Sequence, residues 1–108
     1  MTEGFHVIAD SAESITLRLG PHGLDDEADE LFEFVTSAVE AGQVSRIVLD
    51  ASDAEMVTLE GVGVLLRLRA WARRAGTELR VAPVHPRLER KLRETGTAGL
   101  FGTATSTA

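Results

Sequence analysis

The 108 residues contain no cysteine, which excludes a disulfide, a thiolate metal site and a thiol nucleophile. Aromatic residues are scarce, at 5%, and the net charge is −6. An acidic chain with few rings to stack on bases is not expected to bind nucleic acid. No apolar run approaches the roughly 20 residues of a membrane span. The opening Met1-Thr2-Glu3-Gly4 has neither the basic region nor the long apolar stretch of a signal peptide. These absences lead to the expectation of a soluble, cytoplasmic chain with no direct membrane insertion.

What is present suits one domain spanning residues 1–108, with 44% hydrophobic residues to fill a single modest core. The core is expected over about residues 5–101. The Thr/Ser/Ala-rich tail, 102–108, is expected to fray. Charge is unevenly placed. Residues 1–60 hold 14 acids against two arginines, and residues 61–108 hold nine bases against three glutamates. Solvated helix faces account for such a division, and it also allows a weak head-to-tail homo-oligomer.

Phe5–Ala9 has strand character, and Ile15-Thr16-Leu17-Arg18-Leu19 alternates, so Ile15, Leu17 and Leu19 should face the core. The two strands are expected to form an antiparallel hairpin, broken afterwards by Gly20-Pro21-His22-Gly23. Ala28, Leu31, Phe32, Val35, Ala38 and Val39 recur at helical spacing, with Phe34 off the stripe. Asp25 is the expected N-cap and Gly42 the terminator. Ile47-Val48-Leu49 reads as a central, well-covered strand. A second helix is expected over about Leu59–Ala75, buried through Val64, Leu65, Leu68, Ala72 and Ala75, with Gly76 as its stop. Leu79–Ala82 reads as a strand ended by Pro83 and Pro86, and Pro86 starts a third helix reaching about Thr95. The order β-β-α-β-α-β-α, with helices between the later strands, implies an α/β fold with a mixed sheet.

Four chemistries find no complete frame here. His6, His22 and His85 show no metal-ligand spacing. The acidic run Asp25–Glu30 lacks the alternating oxygens and the glycine of a calcium loop, and reads as acids favoured at a helix N-terminus. Gly20–Gly23 precedes a helix, which gives it access to a phosphate, but no Lys-Ser/Thr follows as in a P-loop. No Ser-His-Asp frame can be assembled. The expectation is a protein that is not an enzyme and carries neither metal nor cofactor.

The stretch Met56-Val57-Thr58-Leu59-Glu60-Gly61-Val62-Gly63 follows the strand at Ile47–Asp50 and enters the second helix. Thr58 suits an N-cap, and Glu60 suits the positive end of the helix dipole. Gly61 and Gly63 each weaken a helix by about 1 kcal/mol relative to alanine. That cost suggests close approach by a neighbouring strand or by a partner.

This stretch resembles the signature of STAS domains, the fold of bacterial anti-sigma-factor antagonists. The family reads apolar–Asp–Ser–Ser/Thr–Gly–apolar–Gly here. Without a gap, Thr58 takes the aspartate position, Leu59 the phosphorylated serine position and Glu60 the second hydroxyl position. Gly23–Asp25 with Ala28 and Leu31 resembles the family's first helix start. Arg90–Leu92 through Thr95-Gly96 and Leu100-Phe101 resembles its last helix and exit. The resemblance covers roughly residues 5–103.

The resemblance implies a single-domain, STAS-like mixed sheet and a non-catalytic regulator. Its partner would be an anti-sigma factor or a histidine-kinase-like ATPase protein. Thr58, Leu59, Glu60, Gly61 and Val62 would form the partner-binding patch. Leucine has no hydroxyl, so the family's serine switch cannot operate at Leu59; Thr58 is the only hydroxyl in the turn, a candidate phosphosite second to its reading as a plain N-cap. Two readings of the altered site stay open. Leu59 is an apolar contact in an always-binding domain, or Glu60 imitates a phosphate in an always-released one. Other functions open for such a domain are a subunit of a larger assembly, such as a lipid transporter or stress complex, and a nucleotide or small-molecule binding module.

Overall fold

The computed structural model describes residues 5–10, 13–21, 28–41, 44–55 and 58–101. Strand β1 (Phe5–Asp10) pairs antiparallel with β2 (Ser14–Leu19), forming the expected hairpin, with a register shift between Val7 and Ala9. Helix α1 (Ala28–Glu40) leads to β3 (Arg46–Ala51), and α2 (Leu59–Arg74) leads to β4 (Glu78–Val84). Helix α3 (Pro86–Glu94) and a 3₁₀ turn (Ala98–Leu100) close the described chain. The sheet order is β1-β2-β3-β4, with β2–β3 and β3–β4 parallel, so β3 is central and β4 is an edge. Asp25, Gly42, His22, Gly23 and the 102–108 tail lie outside the described residues.

The alternation in the strands decides what is buried. Ile15, Leu17 and Leu19 join Ile47, Leu49 and Ala51, then Leu79, Val81 and Val84, in one apolar cluster. Leu31, Val35 and Val39 of α1, Val64, Leu65, Leu68 and Ala72 of α2, Leu88 and Leu92 of α3, and Phe101 complete it. The other face of the sheet is polar and partly open. Its cross-strand neighbours Arg18 and Asp50 pair at 3.7 Å, and Arg46 and Glu78 at 2.6 Å. Opposite charges directly across a ladder support the register. Val48 lies on this face and is only half-buried, so β3 is not covered on both sides as its apolar run suggested.

Two element ends differ from expectation. Strand β4 continues through Pro83 to Val84, because the ladder shifts register there: Leu49 faces Val81, but Ala51 faces Val84. An irregular edge strand is where a proline can sit without removing a needed ladder bond. Ala75 is exposed rather than inward, since α2 has ended and Ala75 is its C-cap.

Helices α2 and α3 end alike. After α2, Gly76 N–H donates to Arg73 C=O at 3.1 Å and Thr77 N–H to Ala72 C=O at 2.8 Å. After α3, Gly96 N–H donates to Arg93 C=O at 3.0 Å and Thr97 N–H to Leu92 C=O at 2.8 Å. These paired bonds are Schellman motifs, which need a left-handed residue after the cap. Gly76 and Gly96 supply it, with φ of 76° and 72°.

Candidate functional site

The carboxyl end of β3 feeds directly into the site. Asp50 Oδ1 accepts from Ser52 N–H at 3.0 Å and from Ser52 Oγ–H at 2.7 Å, closing a turn over the strand end. Ala54 N–H donates to Ala51 C=O, and the Ala54 side chain is buried. The chain reaches Thr58 in extended conformation, with φ −99° and ψ 171°. Thr58 Oγ1 accepts from Gly61 N–H at 3.2 Å, and Thr58 C=O accepts from Val62 N–H at 3.2 Å. Thr58 is therefore the N-cap that the sequence suggested, and Leu59 and Glu60 occupy the first two helical positions.

Thr58, Leu59 and Glu60 are exposed, and Leu59 leaves 67% of its surface in water. Val62 was expected to be partly exposed beside them, and it is not. Gly61 is buried, and Val62 is 3% exposed within the core. The reason is helical phase. Val62 stands three residues before Leu65, and Gly61 four before it, so both open the inward stripe that continues to Leu68 and Ala72.

For Gly63 the neighbouring-strand reading of its cost is not met. Among the described residues, a Cβ placed there would meet nothing within 4 Å. With Leu59 it lies on the outward face, one turn further on. Exposed Ala70 continues that face at i+11, and Leu66, at i+7, is half-buried and also packs against the core. A second, outward stripe of small and apolar residues thus runs along α2. It was missed in the sequence because the inward stripe is stronger and accounts for most of the apolar positions. Arg67 on its flank stacks over the Phe32 ring of α1, 5.8 Å from the centroid.

The surroundings of the cap are acidic. Asp53, Glu55 and Glu60 are all exposed, while Asp50 is half-buried beside Arg18. Helix α3 begins at the same end of the sheet. His85 N–H donates to Ala51 C=O at 2.9 Å, and His85 Nδ1 accepts from Arg87 N–H at 3.1 Å. His85 is thus the N-cap of α3, with Pro86 in its first turn. The sequence signal for that role was a capping-capable side chain immediately before a helix-starting proline. The side chain of His6 and the whole of His22 lie outside the described residues. Among the described residues, no three His, Cys, Asp or Glu side chains gather as metal ligands. The two hydroxyls here, Ser52 and Thr58, both serve local turns.

The STAS domain profile matches residues 24–108. No curated protein sequence matches the chain. Among solved structures, the anti-sigma factor antagonist SpoIIAA in its unphosphorylated form superimposes with a TM-score of 0.78 at 17% identity, covering 95% of this chain and 88% of that one. The Bacillus cell fate determinant SpoIIAA in its phosphorylated form superimposes with a TM-score of 0.71 at 16% identity, covering 95% and 91%. At such identities the superpositions speak to the fold, and the profile speaks to descent. The chain belongs to the STAS-domain family.

Proposed function

We propose that this STAS domain is a non-catalytic, protein-binding regulator, an anti-sigma-factor antagonist that docks a kinase-type anti-sigma factor through Thr58, Leu59 and Glu60 without a serine switch. The observation that carries this reading is Leu59: a large apolar side chain, 67% exposed, at the cap of a helix whose outward face continues through bare Gly63. A single exposed leucine is ordinary on a protein surface. One that heads a smooth apolar stripe, with a glycine whose missing side chain nothing inside the molecule requires, suits a partner that packs closely. The solved SpoIIAA structures include a phosphorylated form. In this chain the position resembling the family's phosphoserine is Leu59, so the domain is read as always competent to bind.

The test is a calorimetric titration of wild type, Leu59→Asp and Glu60→Ser against a kinase-type anti-sigma factor from the same cell. Leu59→Asp should weaken the complex, because it places an unpaired charge in a packed interface. Glu60→Ser should leave affinity close to wild type. Tighter binding by Glu60→Ser would instead mark Glu60 as a phosphate mimic in a released domain. Unchanged affinity in both variants would remove the cap from the interface.

A further inference from the structure

Far from the cap, the outer edge of β4 borders an open cleft of about 400 Å³. Helix α2 forms one wall through Arg69 and Arg73, and the segment after α3 forms another through Leu100 and Phe101. Arg80 reaches the cleft from the polar side of the sheet, beside Leu79. Val81 N–H points out of the edge, donating to Phe101 C=O at 3.1 Å. Backbone direction alternates along a strand, so the Leu79 N–H is turned to the same edge, toward the cleft.

The charges here are lopsided for a protein of net charge −6. Arg69, Arg73 and Arg80 face a single lining carboxylate, Glu78, and Glu78 is held by Arg46 at 2.6 Å. Among the described residues, none of the three arginines has a carboxylate within 4.0 Å. Arg69 is nevertheless fixed in place, since its Nε–H donates to Leu100 C=O at 3.0 Å, which leaves its terminal nitrogens as donors. Even with Glu78 counted wholly against them, the guanidiniums leave a surplus of two positive charges. A phosphate monoester carries about −1.5 to −2 near neutral pH and offers three acceptor oxygens to such forks. A carboxylate would neutralise only half the surplus. Half-exposed Leu100 gives the cleft an apolar wall for an organic group, and its volume is within the range of small-molecule sites.

We propose that the Arg69–Arg73–Arg80 cleft is a binding site for a small organic phosphate monoester, with the phosphoryl group among the guanidiniums and the organic group against Leu100. The site is separate from the cap. Arg69 and Arg73 lie ten and fourteen residues along α2 from Leu59, roughly 15–21 Å at the helical rise.

The test is a titration of the isotope-labelled full chain with phenyl phosphate, read by amide resonances, alongside sodium chloride at matched ionic strength and inorganic phosphate. Phenyl phosphate should shift Leu79, Arg80 and Leu100 saturably, should bind more tightly than inorganic phosphate, and should not be imitated by chloride. The double variant Arg73→Gln/Arg80→Gln should lose at least about tenfold in affinity, with Trp71 fluorescence confirming that it is folded. Shifts that chloride reproduces, shifts centred on the α2 cap, equal binding of inorganic phosphate, or unchanged affinity in the double variant would each overturn the assignment. The same double variant should still bind the anti-sigma factor, so failure of the cleft and failure of the cap give different results.

Discussion

Leu59, Gly63 and Thr58 tie the stability of α2 to the proposed docking surface. Gly63 sits inside α2, where glycine is about 1 kcal/mol worse than alanine, yet a methyl group there would touch nothing among the described residues. Gly63→Ala should therefore stabilise the isolated domain by about 0.5–1 kcal/mol, measured by denaturant unfolding followed through the chain's single tryptophan, Trp71. It should also weaken partner binding if a partner packs on the outward stripe. Destabilisation by Gly63→Ala would mean that the space beside it is not free. Position 59 yields a negative prediction. Incubated with a kinase-type anti-sigma factor and ATP, the protein should take up no phosphate at Leu59, because no acceptor oxygen exists there. The turn's hydroxyl is on Thr58, whose Oγ1 already caps the Gly61 N–H at 3.2 Å. Mass spectrometry of the reacted protein checks this, and stable phosphate on Thr58 would place the domain back under phospho-control.

The elements show what local sequence can and cannot report. Strand β2 and helix α1 were legible because their apolar residues repeat at 2 and 3.6, and each pattern is satisfied by its own packing against the sheet core. The Thr58 cap and the Gly76 stop were legible because capping is decided within a few residues. Three features were not. The continuation of β4 through Pro83 depends on a register shift against β3. The inward turn of Val62 depends on the phase of the whole helix, which a motif laid on the cap does not supply. The arginine cleft gathers α2, β4 and the segment after α3, whose proximity is set only by the tertiary fold. The helix ends give a direct prediction. Gly76 lies at φ 76° in a Schellman turn, so Gly76→Ala should destabilise by about 1–2 kcal/mol, read as a lowered unfolding midpoint. An unchanged midpoint would mean that the turn tolerates a side chain.

At the scale of the molecule, one face of a mixed sheet carries the core and the other carries paired charges. Leu31, Leu49 and Leu65 lie fully buried at the meeting of α1, β3 and α2. Leu65→Ala should cost about 2–5 kcal/mol, since three packed elements cannot collapse freely onto the space it leaves. A loss below 1 kcal/mol by chemical denaturation would show that the core repacks more easily than this geometry allows. Among the described residues, no helix is long and apolar enough to cross a membrane. With the core closed beneath the sheet, the outward face of α2 is left with the most exposed large apolar residue described, Leu59. Acids surround the cap end, and arginines gather toward the helix's other end. The central claim, that this cap is a constitutive partner surface, rests on Leu59. The measurement that tests it most directly is the affinity of Leu59→Asp for a kinase-type anti-sigma factor, compared with wild type by calorimetry. The expected result is a loss of about 2 kcal/mol, roughly 30-fold in Kd, in a variant that unfolds at the wild-type midpoint. Equal affinities of the two proteins would contradict the claim.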